Sequence, residues 1–284
     1  MHRLRAVALF PTLFTLGNLV CGFFAIVVAS RIPRPHDLPS GPSPRLASAR
    51  ELLGSLDPTH NLMLCGGLIF LAMLFDVFDG KVARMAKVTS DFGAQLDSLC
   101  DLVSFGVAPG ILLVKMCPQF AEEWGEAIWC IAALFACCAA MRLARFNVET
   151  DEGDDHAWFE GLPSPAAASI VASCAILCYR IRSEAQLQFE HFDWWLQRTL
   201  PPLALAAALL MVSRIAYPHA VTHTLRGKKS FPQFVGIVFA LMAVWAVRWY
   251  AVPAISAAYA LGPPAFHAWQ WNGRRRQTAL QKAR

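Results

Sequence analysis

The chain runs to 284 residues, 56% of them hydrophobic and only 16% charged, with a mean hydropathy of +0.42. A soluble domain of that length carries about 25% charged residues, so the composition excludes one and leaves an integral membrane protein of many helices. The formal net charge of +5 takes its meaning from where the charges sit, and no nucleic-acid partner is expected from it.

Eight apolar stretches approach the roughly 20 residues that cross a bilayer as a helix. They cover about 8–29, 62–80, 92–114, 126–145, 163–181, 199–214, 232–249 and 251–268. The expected fold is all-α, a polytopic integral membrane helical bundle of about eight transmembrane helices. The lower bound is six, because the sixth stretch is short and Pro263 and Pro264 break the eighth. The first stretch has the basic start of a signal peptide. Pro11, Thr15, Gly17 and Asn18 interrupt it and it runs long, so it reads as a retained helix.

The connections set the orientation. With the N-terminus in the cytoplasm, sixteen Lys and Arg fall on the inner side and nine on the outer, four of the nine in one long loop. The excess of basic residues inside favours that orientation. The long loop, RIPRPHDLPSGPSPRLASARELLG at 31–54, is rich in Pro and Ser and reads as extracytoplasmic. A second outer loop is expected around Gln188 to Arg198, with Trp194 and Trp195 as interfacial anchors. Most of the nine cysteines lie in apolar runs with no CxxC pair, as small hydrophobes rather than zinc ligands. The expected organisation is a single membrane-embedded domain over 1–284. It has a core of 1–215, additional C-terminal helices in 232–268 and a basic tail, 269–284, that marks the membrane surface.

The second and third stretches carry the chemistry, in the run DVFDGKVARMAKVTSDFGAQLDSLCD. Asp76, Asp79, Asp97 and Asp101 lie in or at the edge of apolar segments, where each carboxylate costs roughly 2.5–3.5 kcal/mol at a helix centre. Residues three or four apart share a helix face, so each pair is a pair of neighbours. A connection of about a dozen residues lets an antiparallel helix pair bring all four together. The partners that satisfy clustered carboxylates are hard divalent cations or the basic neighbours Lys81, Arg84 and Lys87. Gly80, Ala83 and Gly93 are small enough to admit close helix approach or a ligand, and the fork of Arg84 suits phosphate oxygens. Four acids, small residues and an arginine point to a two-metal phosphoryl-transfer site, with one carboxylate left to take a proton from the nucleophile. A divalent-cation transporter is the rival from another class, but it needs acids spread through the bilayer depth, whereas these crowd one face.

The spacing Asp76-x2-Asp79-Gly80-x2-Ala83-Arg84-x8-Gly93-x3-Asp97-x3-Asp101 resembles, position by position, the signature of the CDP-alcohol phosphatidyltransferase family. The likeness extends over the first five or six helices and includes PTLFTLGN at 11–18. It implies a membrane enzyme that moves a phosphatidyl group from CDP-diacylglycerol to an alcohol and releases CMP. Carried over, it makes Asp76, Asp79 and Asp97 ligands of a pair of Mg²⁺ or Mn²⁺ ions, with Asp101 completing the second site and acting as general base. Gly80, Arg84 and Ser90 would contact the CDP-diacylglycerol headgroup. For Asn18 a nucleotide contact and a buried packing role both stand. DLVSFGVAPG, RLARFN, FEGLPSPAAA and MVSRIAYPH, in that order, resemble the membrane-spanning phosphatidylserine synthase branch and imply L-serine as acceptor. Glycerol 3-phosphate, an inositol compound or choline are the alternatives. Arg145 or Arg142 would hold the serine carboxylate, unless both only mark the inner boundary of the fourth helix. Asn147 and Ser164 are lesser candidates for the polar wall. The resemblance also implies a homodimer and a bacterial inner membrane, with the active site facing the cytoplasm.

Overall fold

The computed structural model describes residues 2–32, 58–86, 91–150, 158–183, 187–218 and 250–266. Helices α1 (His2–Ser30) and α2 (Pro58–Ala86) form an antiparallel pair. Phe14 packs against Phe75 and Phe78 at one end, and the Cys65 thiol donates to the Ala25 carbonyl further along. Next comes α3 (Asp91–Asp101), which passes through one π-helical turn, Leu102–Val107, into α4 (Ala108–Met116). This column lies in the middle of the bundle, and Phe105, Leu112, Leu113 and Met116 are fully buried. The short α5 (Pro118–Trp124) leads to α6 (Ala127–Thr150), α7 (Ser164–Ser183) and α8 (Leu187–Val212), and the last described element is α9, residues 250–266.

Six of these helical columns are long and apolar enough to cross a membrane: Thr12–Ser30, His60–Gly80, Phe92–Met116, Ala127–Val148, Ser164–Ser183 and His191–Val212. Their outward faces expose Leu16, Val20, Phe24, Leu71 and Leu74, as surfaces in contact with lipid do. The all-α membrane bundle therefore stands. The seventh expected span, 232–249, lies outside the described residues, and the eighth, 251–268, falls on helix α9, which is not among the six.

Two local features depart from the sequence reading. The expected outer loop Gln188–Arg198 is helical and forms the start of α8, with Trp194 and Trp195 on its surface. Its composition is polar because it carries a partly buried polar network. Arg182 Nε donates to Asp193 Oδ1 at 3.0 Å, Gln197 Nε2 to Asp193 Oδ2 at 2.6 Å, and the Gln119 backbone N–H to Gln197 Oε1. The Asp193–Gln197 spacing of four aligns both side chains on one helical face. At the other end of the bundle, β1 (Trp158–Glu160) and β2 (Ala216–Pro218) form an antiparallel ribbon with Phe159 opposite Tyr217. Gly161 leaves the ribbon at φ +80, and an added Cβ there would lie 2.5 Å from the Met211 carbonyl oxygen. Only glycine meets both conditions.

Candidate active site

The aspartates arise where α2 and α3 approach. Asp76 and Asp79 lie one turn apart in α2, and Asp97 and Asp101 one turn apart in α3, Asp101 being the last residue before the π turn. Asp76, Asp97 and Asp101 each bring an oxygen within 4.8 Å of the other two. Asp79 lies beside this trio without joining it. Its carboxylate accepts from the Thr15 hydroxyl and the Gly80 backbone N–H.

Asp101 is 8% exposed and is held from α1. Asn18, fully buried, donates Nδ2 to Asp101 Oδ1 at 2.8 Å. Asn18 thus makes a buried polar contact within the protein, and that contact holds the fourth aspartate. The π turn completes the junction, since Ser104 Oγ donates to the Asn18 carbonyl at 3.0 Å. Such turns shift the side-chain register within a helix and recur at functional sites.

The remaining candidates divide. Arg142, on α6, interacts electrostatically with Asp76 and Asp101, and its Nη1 donates to the buried Ser164 hydroxyl at 3.0 Å. Arg145 instead donates to the Val212 carbonyl at 3.2 Å and ties α6 to the end of α8. Asn147 exchanges hydrogen bonds with Ser98 at 3.0 and 3.2 Å, linking α6 to α3 one residue from Asp97. Gly80 is exposed, and a Cβ there would meet no described atom within 4 Å. Among the described residues, therefore, no other helix packs against it. Arg84 lies on α2 with its side chain outside the described set, and Ser90 lies outside the described residues.

Magnitudes decide what the trio requires. Carboxylate oxygens within 4.8 Å of one another repel by at least roughly 3.5 kcal/mol per pair at an effective dielectric of about 20. One hydrogen bond to a charged acceptor returns only about 1.5–3 kcal/mol. Among the described residues Arg142 is the positive charge that reaches the trio, and one guanidinium does not neutralise three carboxylates. Asp79 Oδ2 and Asp97 Oδ1 are buried with no hydrogen-bond partner among the described residues. An all-oxygen donor set with excess negative charge and unused lone pairs fits hard divalent cations.

The model of the family described as CDP-alcohol phosphatidyltransferase matches residues 8–212. That stretch contains all four aspartates, Asn18, Arg142 and Arg145, and the chain belongs to this family. The curated proteins it is similar to include several named CDP-diacylglycerol–serine O-phosphatidyltransferase. The Helicobacter pylori protein is 28% identical over 211 residues, covering 74% of this chain and 72% of that one. The Bacillus subtilis protein is 29% identical over 225 residues, 78% of this chain and 96% of its own. The Methanocaldococcus jannaschii protein is 39% identical over 151 residues, 53% and 62% of the two chains.

Proposed function

We propose that the protein transfers the phosphatidyl group of CDP-diacylglycerol to L-serine, yielding phosphatidylserine and CMP. The observation that carries this reading is Asp101, buried, bonded by Asn18 through one oxygen and grouped with Asp76 and Asp97, in a chain whose named relatives carry that activity.

A pair of divalent cations, Mg²⁺ or Mn²⁺, held by Asp76, Asp79, Asp97 and Asp101 would supply charge neutralisation and Lewis acidity to the diphosphate. The chain's own residues do the rest. Asn18 engages Asp101 Oδ1 and orients the carboxylate, which takes the serine hydroxyl proton. The serine oxygen bonds to the phosphorus that bears diacylglycerol, the bond from that phosphorus to the bridging oxygen breaks, and CMP leaves with the electron pair. Arg84, Ser90 and the open space at Gly80 receive the headgroup, and Arg142 holds the serine carboxylate through its guanidinium fork. The acyl chains stay in lipid throughout. The family-matched stretch and the C-terminal helices act as one membrane-embedded domain in a bacterial inner membrane. The carboxylate end, which it shares with Arg142 and Arg145, faces the cytoplasm, in line with the excess of basic residues on that side.

The test is CMP release by purified protein in detergent with CDP-diacylglycerol, with and without L-serine and divalent cation. Serine-dependent CMP together with phosphatidylserine is expected. EDTA should abolish both, and Mg²⁺ or Mn²⁺ should restore them. Release dependent on another alcohol would keep the chemistry and replace the acceptor, whereas no release with any acceptor or metal would sink the reading.

Gly80 offers a second check. Replacing a helical glycine by alanine adds about 1 kcal/mol of helix stability, and no described neighbour opposes the methyl group. Gly80→Ala should therefore leave the thermal midpoint unchanged or raised while the KM for CDP-diacylglycerol rises. A normal KM would remove Gly80 from the headgroup site.

A further inference from the structure

The family match ends at residue 212, yet α9, well beyond it, is docked against the core at three places. Tyr250 meets Phe192 edge-on at 6.2 Å, Ser169 donates to the Ser256 hydroxyl at 3.1 Å, and Tyr217 donates to the Ala260 carbonyl at 2.8 Å. The helix thus runs parallel to α8, from the end that holds Trp194 to the end that holds the carboxylates. Tyr217 is fully buried in β2, and its ring lies 5.9 Å from that of Tyr259. Tyr259 follows Ser256 by three residues, so it shares the face turned to the start of α7. That is where Ser164 accepts from Arg142.

Tyr259 and Arg142 interact electrostatically. Arg142 Nη1 is taken by Ser164, while its Nε is buried with no hydrogen-bond partner among the described residues. A guanidinium with one N–H given to Ser164 and another buried without a partner among the described residues, close to the helix face that carries Ser256 and Tyr259, is suited to a small anionic group. It lies within electrostatic reach of Asp76 and Asp101, which places that group next to the reacting centre.

We propose that Tyr259 is a specificity-determining residue of the acceptor pocket, donating its hydroxyl to the acceptor carboxylate that Arg142 binds. The inference rests on the proposed serine-dependent transfer. It adds a residue from outside the family-matched stretch, supplied by the C-terminal helix that the Tyr217–Ala260 bond holds in place.

The experiment uses the full-length protein in detergent. Y259F should raise the KM for L-serine roughly tenfold, the effect of losing one hydrogen bond to a charged acceptor. The KM for CDP-diacylglycerol and the thermal midpoint should stay at the wild-type values. An unchanged serine KM would overturn the proposal. So would a rise in the CDP-diacylglycerol KM alone, which would assign the Arg142 pocket to a lipid phosphate. Wild-type protein gives an independent arm. Serinol, which lacks the carboxylate, should compete with L-serine at least roughly tenfold more weakly than D-serine does, and equal competition would equally overturn the inference. Wild-type protein with no serine-dependent CMP release would take down both readings, whereas normal wild-type turnover with an unaltered Y259F would take down this one alone.

Discussion

Asp101→Asn is expected to lower CMP release by roughly 10²–10⁴-fold, the contribution of a positioned general base, while the protein stays folded. An asparagine side chain retains the carbonyl oxygen that accepts from Asn18 Nδ2, so the contact between α1 and α3 survives. It also removes one of three mutually repelling charges in the trio, each pair of which opposes folding by roughly 3.5 kcal/mol at an effective dielectric of about 20. Without divalent cation the variant should therefore melt no lower than the wild type. With cation added, the wild type should gain more, since binding to the folded state stabilises in proportion to affinity. Paired melting curves and CMP assays check both statements. Near-normal turnover would remove Asp101 as the base, and a lowered cation-free midpoint would show that its charge is needed for folding.

Much of this arrangement was legible in the sequence, and what was not has identifiable causes. Length and hydropathy locate helices well, because lipid forces each apolar run to satisfy its own backbone. Two expected spans accordingly lie within longer observed helices, 8–29 within His2–Ser30 and 62–80 within Pro58–Ala86, and 92–114 lies within the column from Asp91 to Met116. The start of α8 was misread because its polar residues resemble a loop, while their partners Arg182 and Gln119 are remote in sequence. The aspartates were visible because spacings of three and four report directly on a helix face. Their subdivision was not. That Asp79 turns to Thr15 while Asp76 joins Asp97 and Asp101 depends on how α1 lies across α2. The Asn18–Asp101 bond joins residues 83 positions apart, and the π turn after Asp101 has no spacing that distinguishes Leu102–Val107 from ordinary helix. For the arginines the sequence left Arg145 and Arg142 as alternatives. The structure places them differently, with Arg145 donating to the Val212 carbonyl and Arg142 donating to Ser164 and interacting electrostatically with Asp76 and Asp101.

The junction of α1 with the π turn should be a sensitive point of the scaffold, and one that bears directly on Asp101. A Cβ on Gly22 would lie 2.3 Å from Ser104 Oγ and 2.8 Å from Ser104 Cα. A rotamer change relieves the first clash, but only a backbone shift relieves the second. Overpacking of this kind costs about 1–3 kcal/mol, which outweighs the gain of about 1 kcal/mol in helix propensity from glycine to alanine. Gly22 and Asn18 are four apart on one face of α1, and Ser104 and Asp101 are three apart on the opposing column, so the shift that relieves Gly22 also pulls Asn18 from Asp101. Gly22→Ala should thus lose thermal stability and CMP release together, unlike Asp101→Asn, which loses only the second. Ser104→Gly in the Gly22→Ala background removes the Oγ and Cβ clashes but not the one at Cα, so it should restore part of the stability. Gly67→Ala is the control, since its Cβ would meet no described atom within 4 Å and it should melt at or above the wild-type midpoint. A Gly22→Ala protein with wild-type melting and turnover would show that α1 is free to move, and that Asn18 does not depend on this contact to hold Asp101.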